Sequence, residues 1–380
     1  MEVRIKQLEK LVYVFAKKKK PFMVLGGAGI GKSQTVRAVS KKLASEEKLE
    51  YCEDTTNLDD LKKYYLLDLR LAQLEPSDLR GLPFPEQQKY VRWLLPTFLP
   101  KDGKGVIFLD EFNTCSPAMQ AAALQLILDR KIGDYVVPEG YAIIAAGNRA
   151  EDKANVFPIS GPLANRFGHA TLIPPSKDEW SEWAYENNIR PDIIAFMHFK
   201  PSYLYKFNKD SKDLAWPSPR TWAMASDMTL EYDYATKETS NKKQGDKEVL
   251  DEEFMVVSCC VGEGVAVEYQ GFIKMKNRIN LKDVLKNPSI VKKPPISEEV
   301  GLKWSLISGL ADIYKEDLNK QSKDRNTNAI LDVVSELEAE YAVFLLRLMR
   351  GVNPKVFAGE IMNQPSWKKV YESVHKYALK

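Results

Sequence analysis

No run of apolar residues in this 380-residue chain is long enough to cross a bilayer, and the opening stretch MEVRIKQLEK lacks the apolar centre of a secretory leader. Membrane insertion and export are therefore not expected, and a cytoplasmic protein is. Cysteine is scarce. Cys52, Cys115, Cys259 and Cys260 show neither a CxxC spacing nor the histidine partnership of a zinc site, and they read as reduced, partly buried thiols. Net charge is only +3, too small an excess to argue for a nucleic-acid partner from the chain as a whole. The conspicuous basic run, Lys17 to Lys20, closes a periodic segment carrying Ile5, Leu8, Leu11, Val12 and Phe15. Cations are favoured at a helix C-terminus by its dipole, so this run reads as a solvated helix end. Internal repeats and low-complexity tracts are also lacking.

What remains is a globular composition, 44% hydrophobic and 28% charged, of a length that suits two folded units. Short apolar runs predict strands over 21–25, 66–71, 106–109, 141–146 and 169–173. Helical periodicity falls between them, over 34–47 and over 117–130, where Met119, Ala123, Ile127 and Leu128 share a face. Strands alternating with helices imply a parallel sheet covered on both sides. Beyond Pro174 the strand signals stop, and helices are predicted over 178–186, 192–198, 298–314, 329–350 and 367–379. The lysine-rich stretch 236–247 and the proline-bearing stretch 287–295 read as loops or linkers.

The glycine-rich turn Gly26, Gly27, Ala28, Gly29, Ile30, Gly31, Lys32, Ser33 fits the P-loop spacing GxxxxGK followed by Ser or Thr, and it runs on into Gln34. It lies between a predicted strand and a predicted helix, as phosphate binding requires. Glycines turn backbone amides toward phosphate oxygens, and the helix N-terminus adds positive potential. Lys32 can reach the outer phosphates of ATP, and Ser33 can ligate Mg2+. The apolar run ending in Asp110 and Glu111 is a Walker B segment at the C-terminal edge of the same sheet. Asp110 is suited to holding magnesium, and Glu111 to orienting the attacking water and accepting its proton. The next strand ends at Asn148, whose amide is a candidate to position that water or the terminal phosphate.

The ordered series GGAGIGKS, VIFLDEFN, AAGNR, PLANRF and PSPRTW, spread over residues 26–222, resembles AAA+ ATPases of the MoxR group and the related dynein-type and midasin-type branch. The resemblance implies that Asn148 is the first sensor, Arg166 the arginine finger and Arg220 the second sensor. A finger acts in a neighbour's site, where its fixed charge meets charge developing on the transferred phosphoryl group. A homo-oligomer is therefore expected, and the resemblance implies a hexameric ring. The fold class expected is α/β: a P-loop AAA+ core with a parallel five-stranded sheet over 1–174, an all-helical lid over 175–285 and a C-terminal helical extension over 286–380 packed on the lid. ATP is expected between core and lid.

The function implied is ATP hydrolysis that remodels or matures a protein partner, with a separate von Willebrand factor A domain adaptor as the kind of associate the group uses. A nucleic-acid motor or loader on the same core is the alternative, and a nucleotide-controlled assembly switch a second one. Two segments are candidates for contact with the partner. One, residues 76–98, is rich in proline and aromatics, and the other covers 131–138; similar proteins carry an inserted hairpin in the helix after the second strand, and the spacing from Lys32 to Asp110 leaves room for one.

Overall fold

The computed structural model describes the chain except for residues 57, 59, 87–89, 150, 152–155, 212, 240–245, 320–324 and 379–380. It divides into two compact units, Met1–Pro175 and Ser176–Lys380. The first contains strands β1 (Glu2–Val3), β2 (Phe22–Gly26), β3 (Glu50–Cys52), β4 (Lys63–Arg70), β5 (Leu82–Glu86), β6 (Tyr90–Leu94), β7 (Lys104–Asp110), β8 (Lys131–Ile132), β9 (Tyr135–Val136), β10 (Tyr141–Gly147) and β11 (Gly168–Leu172). Its helices are α1 (Ile5–Lys17), α2 (Lys32–Glu46), α3 (Pro76–Arg80), α4 (Pro117–Asp129) and α5 (Gly161–Ala164).

Seven strands form one sheet in the order β1-β11-β2-β10-β7-β4-β3, with every neighbouring pair parallel. The sheet is thus wider than the five strands expected. Those five are its contiguous centre, and the short strands β1 and β3 extend it at the two edges. Burial on both faces explains why β10 reads YAIIAAG with no polar alternation: all seven of its residues are buried. The helix α1 packs against β10, β11 and β2, while α2 lies over β4, β7 and β3. Each fully buried Leu, Ile or Phe in such a core contributes roughly 1.5–3 kcal/mol relative to an exposed one. The start of α4 is set locally, since Pro117 opens its first turn and Ser116 Oγ accepts from the Met119 amide at 3.2 Å.

Among the described residues, the regular elements of the second unit are all helices: α6 (Lys177–Glu186), α7 (Pro191–Phe199), α8 (Pro219–Thr239), α9 (Asp246–Val261), α10 (Glu263–Lys276), α11 (Leu281–Lys286), α12 (Val300–Asn319), α13 (Thr327–Glu336), α14 (Ala339–Val352), α15 (Pro354–Glu360) and α16 (Trp367–Ala378). Its hydrophobic core runs without interruption from Trp180 to Val374, and Phe196 sits at an aromatic centre with Trp222, Tyr269 and Phe272 around it at 5.4–5.6 Å. Within this core Arg190 pairs with Asp192 and Glu253, and Lys276 with Asp312. Burial works against the Asp192 carboxylate, yet Arg190 holds it below the usual carboxylate range.

Two sequence expectations change here. The helix predicted over 329–350 is two helices, because Leu337 and Glu338 are both extended (ψ 154° and 146°) between α13 and α14. The predicted loop over 236–247 is helical at both flanks, in α8 up to Thr239 and in α9 from Asp246, and its middle lies outside the described residues. The helix predicted up to 379 is α16, and residue 379 lies outside the described residues. The AAA+-type α/β core followed by helices is as expected. All four cysteines are free, and burial pushes the Cys115 thiol up to about 11. Among the described residues, no helix is long and apolar enough to cross a membrane.

Candidate nucleotide site

Parallel packing puts the C-terminal ends of β2, β10 and β7 side by side: Leu25 is opposite Gly147, and Ala145 opposite Leu109. The chain leaves β2 at Gly26 and turns through Gly29 (φ 74°) and Gly31 (φ 102°) into α2. Gly31 is the N-cap of α2 in a backbone region that L side chains rarely adopt, and it supplies no side-chain cap. The first-turn amides of α2 therefore keep the partial positive charge that an anion would meet.

Lys32 folds back over this turn. Its ammonium donates to Gly26 O at 2.7 Å, Gly27 O at 2.8 Å and Asn148 Oδ1 at 3.1 Å. Ser33 Oγ donates to Asp110 Oδ2 at 2.8 Å. The glycine-rich turn and the start of α2 are thus joined to the ends of β10 and β7 by two side-chain links. Gln34 is exposed on the first turn of α2, and Ile30 is buried beneath the loop. Glu111 follows Asp110 in the left-handed region (φ 53°, ψ 34°), with its side chain exposed and its carbonyl accepting from Thr114 Oγ1 at 2.7 Å.

The oxygen pair of Ser33 and Asp110 suits a hard divalent cation that keeps most of its ligands as water and phosphate, which is how Mg2+ is usually held. Among the described residues, no cluster of three or more His, Cys, Asp or Glu could cage a metal on its own. The donor set therefore fits a cation that arrives with a phosphate-bearing ligand.

Arg166 lies just past α5, exposed, with no hydrogen bond or ion pair to its guanidinium among the described residues. Arg220 is in the second unit, at the second position of α8, where Ser218 and Thr221 cap the helix reciprocally at 2.8 and 3.2 Å. The first unit thus brings together Lys32, Ser33, Asp110 and Asn148, and it carries Glu111 on the adjoining turn.

Two further residues stand near this site outside its motifs' assigned roles. Asp68, on β4 opposite Phe108, is tied to Arg37 at 2.9 Å; burial and the charge of Asp110 push its carboxyl above the usual range, against the pull of Arg37. Its signal was a charge inside an otherwise apolar strand. Asn113 is buried three residues after Asp110, and its amide bonds the backbone of Asn148 at both ends. It stands in the run VIFLDEFN, but nothing along the chain says which strand it meets.

The two partner-contact candidates differ in exposure. In the β5–β6 hairpin Leu82, Phe84, Tyr90, Val91 and Leu94 are each half or more exposed. In the β8–β9 hairpin Ile132 and Tyr135 are buried, with Tyr135 Oη donating to Pro100 O at 2.9 Å, while Lys131, Gly133, Asp134 and Val136 are exposed.

Residues 21–167 match the family model described as AAA domain (dynein-related subfamily). No curated protein matches the chain. Among solved structures it is similar to NtrX from Brucella abortus, at 11% identity over 94% of this chain and 67% of that one, with a TM-score of 0.34. The same protein in complex with ADP aligns at 12% identity over 97% and 67%, TM-score 0.33. A RuvB point mutant from Thermotoga maritima aligns at 13% identity over 79% and 86%, TM-score 0.36. The first unit carries a generic AAA+ ATPase domain, and nucleotide hydrolysis in general is the activity such domains perform.

Proposed function

We propose that the chain is an ATP-hydrolysing AAA+ protein of MoxR type that works as an oligomer, with a hexameric ring as the form the resemblance suggests, and remodels a protein partner. The observation that carries the hydrolytic part is the convergence of Lys32, Ser33, Asp110 and Asn148 at three adjacent strand ends, beside an exposed Glu111. In this reading Lys32 and the first-turn amides of α2 offset the charge of the outer phosphates. Ser33 and Asp110 hold Mg2+, which neutralises phosphate charge when bound. Glu111 takes the proton from the attacking water, Asn148 orients that water or the terminal phosphate, and Arg166 serves a neighbouring copy. Arg220 has the second-sensor role on the resemblance alone.

The exposed β5–β6 hairpin supports a protein partner over a nucleic acid. Its described strands present Leu82, Phe84, Tyr90, Val91 and Leu94 with Arg92 as their cation, and the sequence between them adds Lys89, whereas a nucleic-acid surface concentrates lysine and arginine. A von Willebrand factor A domain adaptor is the associate that the MoxR resemblance suggests. The deciding measurement is phosphate release from ATP with and without magnesium, on the chain and on Lys32→Ala. The wild type should turn over only with the metal, and the variant, titrated with nucleotide in parallel, should lose ATP affinity by about 10- to 150-fold. Unchanged affinity in Lys32→Ala would sink the P-loop assignment.

A further inference from the structure

Beyond Asp110 and Glu111 the chain makes a tight helical turn, Phe112–Thr114, that directs Asn113 back toward the end of β10. Asn113 is 6% exposed. Its Nδ2 donates to Asn148 O at 2.7 Å, and its Oδ1 accepts from Asn148 N at 3.0 Å. One side-chain amide thus closes on both backbone groups of a single residue, as a neighbouring strand would, and fixes the peptide planes on either side of it. The space for this exists because the preceding residue is glycine: a Cβ on Gly147 would fall 2.6 Å from Asn113 Oδ1. Asn113 is itself anchored, since its carbonyl accepts from Phe157 N at 2.7 Å. The residue so held points its own side chain at the P-loop, where Asn148 Oδ1 meets the Lys32 ammonium at 3.1 Å.

We propose that Asn113 is a positioning residue for ATP hydrolysis: it locks the backbone of Asn148, and through it the Asn148 amide, to the turn that carries Asp110 and Glu111. The role rests on the ATPase reading. Asparagine alone fills the position. Aspartate has no donor for Asn148 O at neutral pH, and glutamine is one methylene too long for a space bounded by Gly147. The contact links the hydrolytic turn to the sensor strand, so a shift of either is transmitted to the other.

The test is a kinetic cycle on the full chain with Mg-ATP, using Asn113→Ala, Asn148→Ala and the double variant, with nucleotide affinity measured alongside. Loss of an outer contact that orients a site residue costs about 10- to 100-fold. Asn113→Ala should lose that much in kcat with ATP affinity within a few-fold of wild type, and the double variant should be no slower than Asn148→Ala. Losses that multiply in the double variant overturn the proposal, because Asn113 would then act independently of Asn148.

Asn113→Asp keeps the volume and the acceptor, so it reports even if the alanine variant is poorly folded. Ionised at pH 8, it has no donor for Asn148 O, so its kcat there should fall about as far as that of Asn113→Ala, with ATP affinity within a few-fold of wild type. Wild-type kcat in Asn113→Asp overturns the proposal. A wild-type chain that does not hydrolyse Mg-ATP removes the ATPase reading itself, a result separate from either failure of the cycle.

Discussion

Glu111 holds a left-handed backbone conformation, φ 53° and ψ 34°, that costs a residue with a Cβ about 1–2 kcal/mol. The turn is kept there by Thr114, whose amide and hydroxyl both bond the Glu111 carbonyl, at 2.9 and 2.7 Å. Strain of this kind persists where the surrounding structure over-determines it, and it is concentrated at functional sites. A stability and activity trade-off follows at this position. Glu111→Gly relieves the strain and should be more stable than Glu111→Ala, which retains it, by roughly 0.5–1 kcal/mol. Both should bind ATP and fail to turn it over, as should Glu111→Gln. Urea denaturation of the two variants side by side gives the comparison. Equal stabilities would mean that the turn relaxes when the carboxylate is removed.

Among elements, α7 carries the clearest pH-dependent contribution to stability. His198 packs against Trp304 of α12 and Phe344 of α14 at ring distances of 5.1 and 4.4 Å, and its Nε2 shares a hydrogen bond with Ser181 Oγ of α6 at 2.9 Å. Burial, reinforced by the charges of Lys177 and Arg347, pushes its pKa down to about 3. The folded state therefore keeps the ring neutral, while the unfolded chain takes up a proton below about 6.5. This contribution is fully present above about pH 6.5 and is lost as pH falls toward 3, in total on the order of 2–4 kcal/mol. His198→Gln can still bond Ser181 but does not titrate, so its stability should fall less steeply than wild type between pH 6.5 and 4. Denaturation midpoints that track each other across that range would show that His198 does not drive the acid limb.

Legibility at the element scale followed the length of the signal. The five central strands and the helices α2 and α4 were readable because each carries a full apolar run or several helical turns. The strand β1 is Glu2 and Val3 alone, paired with Thr171 and Leu172, and β3 has three residues. Such pieces are too short to show an alternation, and pairing across so much of the chain is decided by the fold. The break between α13 and α14 left no trace because Leu337 continues the apolar pattern and neither glycine nor proline marks the junction. In the candidate site, motif spacing singles out Lys32, Ser33, Asp110 and Glu111 and order along the chain singles out Asn148, and Lys32 meets Asn148 while Ser33 meets Asp110. Asn113 and Asp68 were not, since the one acts on a backbone 35 residues away and the other through Arg37 and the charge of Asp110.

For the whole molecule the open question is where Arg166 acts. Its guanidinium is exposed and unpaired among the described residues of its own chain, which is the state expected of a finger that completes a neighbour's site. Removing such a finger costs roughly a thousandfold or more in turnover. Arg166→Ala should accordingly bind ATP almost normally while hydrolysing it about a thousandfold more slowly. Slow turnover alone would not separate a finger in trans from one in the same chain, and mixing does. Arg166→Ala retains Glu111, and Glu111→Gln retains Arg166, so each is inactive alone. In a mixed assembly some interfaces set an intact Arg166 from one chain against an intact Glu111 in the next. Recovery of part of the wild-type rate on mixing, with subunit exchange verified by native mass analysis, is the expected result. If verified mixed assemblies stay inactive while wild-type turnover per chain is constant across the concentration range of assembly, Arg166 does not act across an interface. Oligomerisation would then lose its catalytic reason, whereas the P-loop chemistry at Lys32, Ser33 and Asp110 would be unaffected, since those residues all lie within the first unit.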